Sequence, residues 1–357
     1  HHMSSHNTTS KGLMATIAAI ALILVGVFMY YMGSMNAGRS SAGTSGGQQS
    51  AAAGAGAMKR IGILQYVTHP ALDEIHRGII DGLKQEGYVE GKNIEIFDQN
   101  GQADQSKLAT MSQQLVGKHA DALVGIATPA AQALANTTNK TPIVMSAVTD
   151  PVSAGLVKDM THPGGNITGV SDQPPVAKQI DLGLKLMPHA KTVGMLYSSS
   201  EDNSKFQVDQ ATKQAEQRGL TVKKFAVPSS NEIAQTVQVM SGQVDFIYIP
   251  LDNTIANAMP TVVQEADKTG KPVITAVDTM VKQGGLATIG VNQYQLGIKT
   301  GQMAADILHG KAKPADTPVF TVSKGDTILN RSKAKELGIT IPDDVAAGAT
   351  IVGDSKQ

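Results

Sequence analysis

The 357-residue chain has no cysteine and no tryptophan, and only 4% of it is aromatic. Without cysteine there can be no disulfide, no thiol nucleophile and no thiolate metal ligand. The lipidated cysteine that anchors many bacterial surface proteins is missing too. With so few aromatics, the core must rest on Val, Ile, Leu, Ala and Met. Neither sign of charge is in excess, with 30 basic and 30 acidic side chains and a formal net charge of zero. No Lys/Arg block stands out, so the electrostatic footprint of a nucleic-acid binder is absent. No P-loop is present and no G-x-G-x-x-G follows the first strand, which leaves nucleotide cofactors without support. His69, His76, His119, His162, His189 and His309 show no paired metal spacing and no H-E-x-x-H. Neither a cofactor nor a metal is expected.

One long uncharged run is present, Leu13 to Met32, LMATIAAIALILVGVFMYYM. About 20 apolar residues span a bilayer as a helix. Lys11 before the run and Arg39 after it orient it only slightly, toward a cytoplasmic N-terminus. Residues 13–32 are therefore expected to be a transmembrane anchor. The competing reading is a secretory signal segment, whose apolar core usually spans about 7–15 residues; Ser34-Met35-Asn36-Ala37 would be a poor cleavage site. His1 and His2 resemble a purification-tag remnant, and residues 1–12 read as tag remnant plus cytoplasmic N-terminus. Residues 33–57, rich in Gly, Ala and Ser, read as a flexible tether. A formal G-x-S-x-G match at Gly43–Gly47 lies in that tether, without the strand and helix a nucleophile elbow requires.

From Lys59 onward, apolar strands alternate with amphipathic helices. Strands are expected at Ile61–Val67, Ile94–Gln99, Ala122–Ile126, Ile143–Ala147, Thr192–Tyr197, Val222–Phe225, Phe246–Ile249, Val273–Ala276 and Ala287–Val291. Helices are expected at Leu72–Glu86, Ser106–Lys118, Asp202–Gln217, Asn231–Met240 and Thr254–Lys268. This alternation predicts parallel sheets covered on both faces by right-handed crossovers. Asn166–Val170 and Pro174-Pro175 interrupt the series, and Thr192–Tyr197 then echoes Arg60–Leu64. Two doubly wound lobes follow, with a cleft where the carboxyl ends of their strands face each other.

Several strand ends are polar. Thr128-Pro129-Ala130 follows a strand and opens a helix, so Thr128 is a candidate N-cap and the turn a candidate anion site. An ordinary capped βα turn accounts for the same residues. Ser146 and Thr149 could offer hydroxyls to a ligand. Asp252 and Asp278 could hold an ammonium group by charge-assisted hydrogen bonds, or simply cap the helices that follow. His69 is the one histidine at a strand end where a ligand role is open.

The segments ILQYVTHPALDEIHRGIIDGL, VGIATPAAQAL, SAVTDPVSAGLV, GNITGVSD, IYIPLDNTI and GGLATIGVNQYQLG together resemble the ABC-transporter substrate-binding proteins of the tryptophan or aromatic amino-acid type. The resemblance runs from Met58 to Ile351. It implies the type I periplasmic-binding-protein fold: two α/β lobes joined by three crossover strands, near Ile167–Ser171, Leu286–Asn292 and Val319–Asn330. The lobes would then be 58–170 plus 292–318, and 171–291 plus 319–357. Carried over, Thr128, Pro129 and Ala130 receive the ligand carboxylate, with Ser146 and Ser171 nearby. Asp278, then Asp252, would receive the amine. Gln65, Tyr66 and His69 would flank the side-chain pocket, joined by Asn203.

These features imply a monomeric, non-enzymatic receptor tethered to the cell membrane, with its soluble domain on the extracytoplasmic side. It would bind an amino acid, tryptophan or phenylalanine first, and deliver it to an ABC permease. A ligand-sensing ectodomain of the same fold is the alternative, as is a receptor for a non-aromatic amino acid or another small solute. A hydrolase or transferase would need a nucleophile–base pair or metal cluster that the sequence lacks. A transcriptional regulator would need a helix-turn-helix before the first strand, where an apolar run and a tether stand instead.

Overall fold

The computed structural model describes residues 18–32, 57–322 and 324–353. The first twelve residues, the first five of the apolar run and nearly all of the tether lie outside them. The chain forms two separate compact units, His1–Ala57 and Met58–Gln357. In the first, residues 18–32 form helix α1, with its described side chains exposed on every side. It is apolar all round, so it has no amphipathic face. Among the described residues no helix is long and apolar enough to cross a membrane.

The second unit is built on two sheets. Its first half runs β1 (Lys59–Gln65), α2 (Pro70–Gln85), β2 (Ile94–Asn100), α3 (Gln105–Gly117), β3 (Ala122–Ile126), α4 (Thr128–Thr137), β4 (Ile143–Ser146) and β5 (Ile167–Asp172). The chain continues through α5 (Val176–Leu186), β6 (Thr192–Ser198), α6 (Asp202–Gln217), β7 (Thr221–Val227), α7 (Ile233–Ser241), β8 (Phe246–Ile249), α8 (Asn253–Asn257), α9 (Met259–Asp267), β9 (Val273–Thr275), α10 (Asp278–Lys282) and β10 (Ala287–Gly290). It closes with α11 (Gln293–Leu308), β11 (Phe320–Val322), β12 (Asp326–Asn330), α12 (Arg331–Glu336), α13 (Asp343–Ala346) and β13 (Thr350–Val352).

The strand orders are β11-β5-β4-β3-β1-β2 and β13-β12-β10-β9-β8-β6-β7. Both sheets are doubly wound, and every pairing is parallel except β10 with β12. Central strands such as β3 and β8 are buried throughout, which is why they read as unbroken apolar runs. The chain passes between the sheets after β5, after β10 and between β11 and β12. Two expected lobe boundaries therefore move. β5 stays in the first sheet through Asp172, and β11 pairs with β5 at Phe320–Val322, so the first lobe extends to Val322 and not to residue 318, with the last crossing inside the expected Val319–Asn330. The helix expected over Thr254–Lys268 is split into α8 and α9 around Ala258. Pro260 in the first turn of α9 supplies no N–H and cannot continue a preceding helix.

In the first lobe, α2 and α11 meet backbone to backbone. A Cβ on Gly78 would lie 2.2 Å from the Tyr294 carbonyl oxygen, one on Gly82 2.4 Å from that of Ile298. Reciprocally, a Cβ on Gly297 would lie 2.1 Å from the Ile75 carbonyl oxygen, and one on Gly301 2.4 Å from that of Ile79. Each helix thus presents two glycines four residues apart, and neither backbone can yield to an added methyl. Gly297→Ala should lower stability to urea by about 1–3 kcal/mol through overpacking. That outweighs the roughly 1 kcal/mol of helix propensity that alanine gains over glycine. Gly117→Ala, at the end of α3 where an added Cβ meets nothing within 4 Å, should be neutral or stabilising in the same titration.

Candidate functional site

Parallel strands bring their carboxyl ends to one edge of each sheet, and the lobes meet along those edges. Between them lies a narrow cavity of about 30 Å³, lined by side chains of both lobes. The first lobe supplies His69, Ala71 and Leu72 around the start of α2, Ala147 and Thr149 after β4, and Asp172 at the end of β5. Asn203, Leu251, Asp252, Asn253, Ala256, Val277 and Met280 come from the second, and Gln293 from the start of α11. Leu72, Leu251, Val277 and Met280 give it apolar walls.

Register explains the first lobe's edge. Gln65 pairs with Ile126, and Ile126 with Ser146, so Tyr66, Ala127 and Ala147 follow in one row. Ala127 and Ala147 both have positive φ, 80° and 59°, a conformation non-glycine residues rarely adopt and one that clusters at functional sites. Ala127, not Thr128, is the N-cap of α4, and it makes no side-chain cap. Thr128 is the first helical residue, and its buried hydroxyl has no protein partner.

The second lobe's edge is organised by acids. Glu201 is fully buried. Its carboxylate accepts from the Asn253 amide nitrogen (2.7 Å), the Thr254 N–H (3.0 Å), the Thr254 hydroxyl (2.9 Å) and, more distantly, the Asn253 N–H and Asn203 Nδ2 (both 3.3 Å). Asp252 accepts from the Ser198 N–H and the Ser204 hydroxyl (both 2.6 Å) and from the Ile255 N–H (2.8 Å). Burial, then the nearby Glu201 charge, pushes its carboxyl well above the usual range. Asp252 is therefore the cap that joins the β6 turn to α8, and its acceptor positions are already used.

Asp172 is different. It is only 2% exposed, and the side-chain hydrogen bond it makes among the described residues is a 3.3 Å contact from Gln293 Nε2. Burial drives its carboxyl up to about 7, opposed by the Gln293 bond. No cation reaches it among the described residues, and it faces the cavity.

The residues singled out in the sequence are dispersed by these contacts. His69, Asn203 and Asp252 line the cavity. Thr128, Pro129 and Ala130 are buried at the start of α4 and do not line it. Ser146 shares a 2.7 Å hydrogen bond with Thr300 of α11, and Ser171 donates to the Thr149 carbonyl; both serve packing. Gln65 donates to the Val67 carbonyl and to Asp73 and belongs to a separate surface pocket. Tyr66 lies in the core, its hydroxyl pKa raised by burial and by Glu201. Asp278 accepts from the Thr279 N–H and lies 3.8 Å from Lys282 Nζ. The first choice for the amine therefore has a cation of its own and does not line the cavity, whereas Asp172 has none and does. Asp172, Glu201, Asn253 and Gln293 were not picked out. For Asp172 a signal existed: an acid ends the strand segment ITGVSD.

Contacts across the cleft hold the lobes together. His69 Nε2 lies 2.8 Å from Asn253 Oδ1, Gln132 Nε2 donates to Asp202 (3.1 Å) and Gln207 Nε2 reaches the Thr149 hydroxyl (3.4 Å). Ala71 of α2 packs into the core cluster of the second lobe.

A model of the family described as ABC transporter substrate binding protein matches residues 60–352. The chain belongs to this family. It is 39% identical over 280 residues to a tyrosine-binding protein of Clostridioides difficile (strain R20291), covering 78% of this chain and 81% of that one. A domain from Streptococcus pneumonia solved with L-Trp is 52% identical, with a TM-score of 0.81 over 83% of this chain and all of that one. A ligand-free, open substrate-binding protein with adhesive properties from Clostridium difficile is 39% identical, with a TM-score of 0.64 over 84% of this chain and 100% of that one. The fold is that of the type I periplasmic binding proteins.

Asn253→Ala removes both the bond to His69 and a donor to Glu201. It should lower stability by about 1–3 kcal/mol and open the ligand-free protein, read as a larger radius of gyration in small-angle scattering.

Proposed function

We propose that this protein is the extracytoplasmic solute-binding component of an ABC importer, receiving an aromatic amino acid, tryptophan first, between its lobes and delivering it to a permease. The observation that carries this reading is Asp172, a buried acid with no cation among the described residues, facing an inter-lobe cavity. An α-ammonium group is the natural partner. The carboxylate then lies toward Ala147 and Thr149, which follow β4 and line the cavity. Both ligands named for the relatives, tryptophan and tyrosine, are aromatic amino acids. The better superposition on the tryptophan-bound relative than on the open one fits a closed arrangement, the form a permease would read.

The apolar run 13–32 acts as membrane tether in this reading. Helix α1, exposed and apolar on all sides, suits a lipid surrounding better than water. If residues 13–32 are the anchor, the full chain stays in the membrane fraction through alkaline carbonate extraction; recovery in the supernatant refutes the tether.

Calorimetry with L-tryptophan tests the site. Asp172→Asn should weaken binding by about 2–5 kcal/mol, as for loss of one partner of a desolvated charge pair. Asp278→Asn should leave the affinity within about threefold, a difference of less than 1 kcal/mol. The pH dependence has a definite sign. The raised pKa keeps a proton on Asp172 in the ligand-free site below about pH 7. That proton must leave when an ammonium binds, so affinity falls toward tenfold per unit as pH drops below 7 and levels off above it. Asp172→Asn should flatten that profile; equal affinity of the wild type at pH 5.5 and pH 8 would remove Asp172 from the site.

A further inference from the structure

The two polar regions of the cavity differ in what they lack. Asp172 lacks a cation. The opposite region, around Glu201, lacks donors: His69 Nδ1 and Asn203 Oδ1 are both buried without a protein partner, and both residues line the cavity. Their orientations are set from behind. Asn203 Nδ2 donates to the Leu251 carbonyl at 2.9 Å and to Glu201 at 3.3 Å. Neither acceptor can donate, so the amide cannot exchange its oxygen for its nitrogen. The Asn253 amide nitrogen is likewise held by Glu201 at 2.7 Å, which leaves its oxygen toward His69 Nε2. His69 must then carry its proton on Nε2. Burial lowers its pKa, so the ring is neutral and Nδ1 is a bare acceptor.

We infer that His69 and Asn203 select the ligand side chain: the cavity takes aromatic amino acids whose ring carries an N–H or O–H, an indole or a phenol, and rejects phenylalanine. This rests on the amino-acid reading above and narrows it by excluding phenylalanine. The ammonium is met by Asp172, whose electrostatic neighbour is Asp278, whereas His69 and Tyr66 feel Glu201. The acceptors beside Glu201 therefore stay unpaired unless the side chain brings a hydrogen. Leaving a buried acceptor unpaired is costly, and a site built around such a bond rejects the analogue lacking it far more strongly than apolar shape alone can.

The test is competition calorimetry on the full chain at pH 8 with L-tryptophan, L-tyrosine, L-phenylalanine and L-1-methyltryptophan, which keeps the indole and loses its N–H. Phenylalanine and the methylated analogue should bind at least about 50-fold more weakly than the better of tryptophan and tyrosine. In Asn203→Leu and His69→Phe the ratio of phenylalanine to tryptophan dissociation constants should shrink toward one. A ratio cancels any effect of the substitution on folding or lobe closure, which all the ligands share. Phenylalanine binding within about threefold of the better ligand, on the scale of an unselective apolar pocket, overturns the selection and leaves the amino-acid reading intact. So does a ratio unchanged in both variants. Failure of every amino acid to bind overturns both.

Discussion

A carboxylate buried without a cation must be satisfied by neutral donors, and Glu201 imposes that requirement on the whole second-lobe side of the cleft. Its acceptor positions are filled by the backbone and side chains of Asn253 and Thr254, with Asn203 completing the set. Meeting it draws the start of α8 onto the turn after β6. It also turns the Asn253 oxygen and the Asn203 oxygen away from the acid, the first toward His69, the second left without a protein partner among the described residues. Asp252 works alongside by binding Ser198, Ser204 and the Ile255 N–H. The polarity of the cleft is thus inherited from an acid that does not itself line it.

The forces holding the lobes together are modest by comparison. One short hydrogen bond between neutral groups, a longer one between Gln207 and Thr149, a half-exposed one between Gln132 and Asp202, a Tyr66–Thr254 hydrogen bond and the burial of Ala71 are among the described cross-cleft contacts. Hydrogen bonds of this kind contribute about 0.5–1.5 kcal/mol each. An open–closed balance set by so few weak contacts lies within reach of an ordinary ligand's differential affinity. The interiors of the lobes, by contrast, are continuous apolar clusters that give no sign of a second packing.

The architecture was readable in the sequence because both sheets are covered on two faces, so strands such as Ala122–Ile126 and Phe246–Ile249 stand out as apolar runs between amphipathic helices. The last crossing falls within the expected Val319–Asn330, but the first lobe runs on to Val322 because β11, a three-residue edge strand, is largely exposed and too short to stand out. The site was harder to read. An aspartate after a strand looks the same whether it caps a helix or awaits a cation, and Asp252, Asp278 and Asp172 share that local pattern. What separates them is non-local: Ser198 and Ser204 approach Asp252 from another strand and helix, Lys282 follows Asp278 on its own helix, and only Gln293, far along the chain, approaches Asp172. The partner of Ser146, Thr300 on α11, is equally distant in sequence.

The glycine contact between α2 and α11 bears on the order in which the molecule can assemble. These helices lie far apart in the sequence of the second unit, with all of β6 to β10 between them. The first lobe therefore cannot close its core until the strands of the second have been made, and its assembly depends on contacts of high sequence separation, which form slowly. During synthesis the emerging first half remains an incomplete sheet that lacks one of its covering helices. A chain of this kind stays threadable until nearly the whole of it has left the ribosome.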